Sequence, residues 1–68
     1  MNEEVFSNSV RAFLKKVGIT SQRALEAAVA EALESGRLKG DEHVSVKVQL
    51  SHELSDEVTE IEGTLKLS

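Results

Sequence analysis

The sequence predicts an α+β domain of order ααββ, an antiparallel helical hairpin over 3–36 packed on a β-hairpin over 43–67. Apolar residues recur at helical spacing from Val5 to Leu33, whereas every second residue is apolar from Val44 to Leu50. A repeat of about 3.6 residues puts side chains on one stripe of a helix, and a repeat of two puts them on one face of a strand. The 68 residues make a single domain, 1–68. A chain this small buries only about 60% of the surface its unfolded form exposes.

The first predicted helix runs from about Glu3 to Lys16. Phe6, Val10, Phe13 and Val17 form its stripe, widened by Val5 and Leu14. Asn2 is a good N-cap, and Glu3 and Glu4 sit where the helix dipole favours negative charge. Lys15 and Lys16 fall at the opposite end, and Gly18 is suited to the position beyond the C-cap. A second helix then starts at Thr20 or Ser21 and carries Leu25, Ala28, Val29, Ala32 and Leu33 inward. Ser35-Gly36 ends it, with Arg37 and Lys39 just beyond. The short link between the two implies a helical hairpin.

In the second half, Val44, Val46, Val48 and Leu50 share one face and Ser45, Lys47, Gln49 and Ser51 the other, the pattern of a half-buried antiparallel strand. A second strand from about Glu60 to Leu67 turns Ile61, Gly63, Leu65 and Leu67 the same way. Between His52 and Thr59, Val58 has the wrong parity for that strand. The segment is therefore a loop with a bulge or a short helical turn capped by Ser55, and the loop with a bulge is preferred. A two-stranded ribbon is marginal in water and leaves two edges open. Two hairpins joined edge to edge across a two-fold axis would make a four-stranded sheet, so the expectation is a homodimer.

Composition narrows the function. With no cysteine there is neither a disulfide nor a thiolate metal site, and a reducing compartment, the cytoplasm, is expected. The acidic start Met1-Asn2-Glu3-Glu4 has no apolar stretch behind it and does not read as a secretory signal. The segment Ala24–Leu33 is far short of the roughly 20 apolar residues of a membrane span. Up to Gly40 there are six basic and five acidic residues; from Asp41 onward there are two basic and seven acidic. The acidic half repels a phosphate backbone and counts against nucleic acid as the main partner.

The run Phe13-Leu14-Lys15-Lys16-Val17-Gly18-Ile19-Thr20-Ser21-Gln22-Arg23, continued by the alanine-rich helix and Ser35-Gly36-Arg37-Leu38-Lys39-Gly40, resembles a family of short uncharacterised bacterial proteins. The resemblance covers roughly the first 40 residues and contains no catalytic motif. It implies a bacterial cytosolic protein and no particular reaction.

Candidate sites are few. Arg11, Lys15, Lys16 and Arg23 converge near the predicted interhelical turn, where backbone N–H groups of Ser21 to Arg23 would point outward and receive a phosphate or carboxylate. Arg11, Lys15, Lys16, Ser21 and Arg23 are the candidate anion or partner contact, although solvated surface charge explains them more simply. The same turn resembles a helix-turn-helix, but Leu14 stands where a small residue is usual, and Glu26, Glu31 and Glu34 face a groove. The first helix could lie on an anionic membrane only by giving up the Phe residues its core needs. Glu53, Asp56, Glu57, Glu60 and Glu62 lack the glycine-bearing loop of a calcium site, and His43 and His52 make no metal pair. With no nucleophile elbow and no phosphate-cradling loop, the chain is not expected to be an enzyme or to carry a cofactor. A protein–protein interaction module, binding a second copy and an unidentified protein, is the leading expectation. Nucleic-acid or phosphate-ligand binding at the basic turn is the alternative.

Overall fold

In the computed structural model, which describes residues 1–68, helix and hairpin fall into two compact units, Met1–Arg37 and Leu38–Ser68. The first unit is one uninterrupted helix, α1 (Glu3–Glu34). Its start follows the sequence expectation: Asn2 is extended at φ −90° and ψ 109°, and its Oδ1 accepts from the N–H groups of Glu4 (3.0 Å) and Val5 (3.1 Å). Its end does too. Ser35 is the C-cap, its N–H donating to the Glu31 carbonyl at 2.9 Å, and Gly36 follows at φ +82°.

Between those ends the expectation fails. The helical hairpin does not form, because Gly18, Ile19, Thr20 and Ser21 continue the helix. Gly18 does not take the positive φ of a C-terminal cap. Continuing costs about 1 kcal/mol at Gly18 and less at the β-branched and serine positions. Breaking the helix there would strip partners from as many as four carbonyl groups before the break and four N–H groups after it. The second cost is larger, so the helix runs through.

The second unit is an antiparallel pair, β1 (His43–Leu50) and β2 (Thr59–Lys66). Val44 lies opposite Leu65, Val46 opposite Gly63, Val48 opposite Ile61 and Leu50 opposite Thr59. The alternation in the sequence thus assigns the strand faces correctly. Pairing is one-to-one from end to end, so there is no bulge. Residues 51–58 form a loop without a helix, its backbone held by Leu54 N–H donating to His52 Nδ1 (3.1 Å) and Glu57 N–H donating to Ser55 Oγ (3.2 Å).

No side chain of the chain is buried. The helix pair expected to cover the sheet is absent, and neither a single helix nor a two-stranded ribbon encloses a core of its own.

Candidate functional site

A helix that passes through Gly18 carries its apolar positions in register from one end to the other. Phe6, Val17 and Ala28 repeat at 11-residue intervals, as do Val10, Ser21 and Ala32. Phe13 with Ala24 and Leu14 with Leu25 complete the stripe. Eleven residues make almost a whole number of helical turns, so these rows stay on one side of α1. From Phe6 to Ala32 they run about 39 Å at 1.5 Å per residue. The stripe is in water: Phe6 is 55% exposed, Phe13 51% and Leu14 56%. Within its rows Ser21 is the one polar residue.

The five candidate contact residues separate once they lie on one helix. Lys15, Lys16 and Arg23 surround Ile19 and Thr20 in a shallow hollow on the side away from the stripe. Arg11 is not part of that hollow, and Ser21 belongs to the stripe. The expected anion-binding N–H groups do not exist either: those of Ser21 to Arg23 lie inside the helix and point to carbonyls four residues back. Gln22 instead uses its side chain to reach Glu26 at 3.3 Å.

A second local arrangement escapes sequence reading. The Glu42 carboxylate accepts from the Lys39 N–H, at 3.0 Å on Oε1 and 2.9 Å on Oε2, and from the Gly40 N–H at 2.9 Å on Oε1. Gly40 stands at φ +111°, a conformation that suits glycine. The Lys39 and then the Gly40 N–H hold the Glu42 carboxyl below its ordinary pKa. The Lys-Gly-Asp-Glu spacing is its only trace in the sequence, and this carboxylate is committed to shaping the turn into β1.

On the outward face of the sheet Lys47 pairs with Glu60 at 2.8 Å. No group of three or more His, Asp or Glu side chains is gathered as metal ligands. No helix is long and apolar enough to cross a membrane.

A family model described as a family of unknown function, DUF6494, matches residues 1–68, and the chain belongs to that family. No curated protein and no solved structure matches it.

Proposed function

We propose that this member of a family without an assigned activity is a protein–protein interaction module whose first partner is a second copy of itself, acting without catalysis in the cytoplasm. One observation carries the reading: the 68-residue chain has no buried side chain, although Phe6, Val10, Phe13 and Leu14 line one stripe of α1 and Val44, Val46 and Val48 one face of the hairpin. Burying a single Phe, Leu or Val contributes about 1.5–3 kcal/mol, and folding depends on collecting several such terms. With no cysteine to tie the chain together, association is a source of burial open to it. The open edges of β1 and β2 add main-chain groups that can pair with a strand of a partner, or with each other in a four-stranded sheet.

Size-exclusion chromatography with light scattering at micromolar concentration tests this. The expected mass is a multiple of 7.4 kDa, with a melting temperature that rises with protein concentration. A monomer whose cooperative melting ignores concentration would refute the reading.

A second reading, binding of a phosphate ligand or nucleic acid, draws support from the grouping of Lys15, Lys16 and Arg23 around Ile19 and Thr20. Binding of that kind weakens steeply with salt, whereas apolar or strand-edge association does not.

A further inference from the structure

We propose that two copies join through the free edge of β2, antiparallel across a two-fold axis, with Thr64 opposite itself. This rests on the self-association reading and adds to it an edge, a register and an ion pair, all within the hairpin unit. Backbone parity decides which groups the edge presents. The Leu67 N–H donates to the carbonyl of Glu42, at 3.4 Å, one step beyond the pair His43–Lys66. Bonded and unbonded pairs alternate along an antiparallel ladder, so Val44–Leu65, Val46–Gly63 and Val48–Ile61 are the bonded ones. The main-chain groups of Glu60, Glu62, Thr64 and Lys66 therefore point away from β1, toward the open edge.

Charge selects the edge and the register. Lys47 lies opposite Glu62 but is engaged by Glu60 at 2.8 Å, so neither Glu62 nor Lys66 has an ion pair within its own chain. Lys47 is the only Lys, Arg, Asp or Glu of β1, so joining two β1 edges would gain no ion pair. With Thr64 opposite itself, Glu62 meets Lys66 of the second copy, and the two-fold axis makes the contact twice. Glu60, already held by Lys47, meets Ser68. On the apolar face Ile61 meets Leu67, and Gly63, whose only near neighbour is Val46, meets Leu65. Centring the pair on Gly63 instead sets glycine against glycine and sends Lys66 to the occupied Glu60. Centring it on Glu62 sets two carboxylates directly opposite, which is destabilising. Charged residues ordinarily keep other strands from an edge. Here the free charges cancel in one register, so the edge admits its own copy in that register.

Charge reversal tests the arrangement, read by sedimentation equilibrium at low salt. Glu62→Lys and Lys66→Glu each set like charges opposite one another at both contacts, and each alone is expected to weaken association about tenfold. An equimolar mixture of the two variants restores opposite charges in every mixed pair, as does a chain carrying both changes. Both are expected to recover most of the wild-type association. Single variants that associate as tightly as the wild type would overturn the β2 edge in favour of another surface, leaving self-association intact. Weakened single variants with no recovery in the mixture or the double variant would also overturn it, tracing the loss to the hairpin itself. A monomeric wild-type chain would overturn both readings together.

Discussion

The Glu42 carboxylate holds the backbone N–H of Lys39 with both of its oxygens, at 3.0 and 2.9 Å. A single side chain thereby fixes the turn that delivers the chain into β1, two residues beyond Gly40 at its positive φ. Charge strengthens the arrangement, because an ionised acceptor makes shorter and stronger hydrogen bonds than a neutral one.

Glu42 therefore makes the hairpin unit sensitive to acid. Its folded-state pKa is depressed by the Lys39 and Gly40 N–H groups, so its contribution is complete above the ordinary carboxylate value of about 4.3 and is lost as pH falls through the lowered one. Glu42→Gln is expected to lower the melting temperature at pH 7. The gap from the wild type is expected to narrow steadily below about pH 4. Melting curves from pH 7 to pH 3 check this; a gap that stays constant over that range would show that charge has no part in the turn.

Gly18→Ala distinguishes a continuous helix from a hairpin. Nothing lies within 4 Å of a Cβ built at Gly18, and the backbone there is helical. Alanine is expected to stabilise the chain by about 1 kcal/mol, measured by urea denaturation, and to leave the helical circular dichroism intact. At a turn glycine of positive φ the same change would destabilise.

The contrast between Gly18 and Gly36 explains what the sequence reveals and what it hides. Both follow a stretch of apolar-periodic residues and both look like helix stops; only Gly36 is one. Local signals at 18–21 imitate a C-cap followed by an N-cap. The deciding signal is longer-range: Phe6, Val17 and Ala28 keep one phase across Gly18, whereas a real turn would have reset it. Strand faces are legible because a period of two survives any local ambiguity, and Val44 through Leu50 met their partners as the alternation implies. The basic cluster is legible only as composition. The separation of Ser21, on the stripe, from Lys15, Lys16 and Arg23 depends on the helix being unbroken.

The pair Lys47–Glu60 is a modest contribution to the sheet. Lys47 sits directly opposite Glu62, yet its ammonium reaches the diagonal Glu60 at 2.8 Å. Both side chains are close to half exposed, so solvent screens the pair. Glu60→Gln is expected to cost about 0.2–1 kcal/mol at low salt, with the difference disappearing near 1 M salt. Persistence of the loss at high salt would point to packing of the Glu60 stem instead.

Ser21 offers the sharpest test of what the stripe is for. It is half-buried between the Val17 and Leu25 levels of α1 and interrupts an otherwise apolar surface. In water its hydroxyl is solvated or bonds back along the helix, and either state costs little. Against an apolar partner the same hydroxyl must give up water, a loss of about 1–3 kcal/mol where no new partner is found. Ser21→Leu removes that cost and adds apolar area, so association is expected to tighten about tenfold, read as a lower concentration for the monomer–dimer midpoint in sedimentation equilibrium. Lys16→Leu is the control, since it adds comparable apolar area on the far side, beside Ile19 and Arg23. If the two variants tighten association equally, hydrophobicity alone is responsible; a gain confined to Ser21→Leu identifies the stripe as the surface where the copies meet.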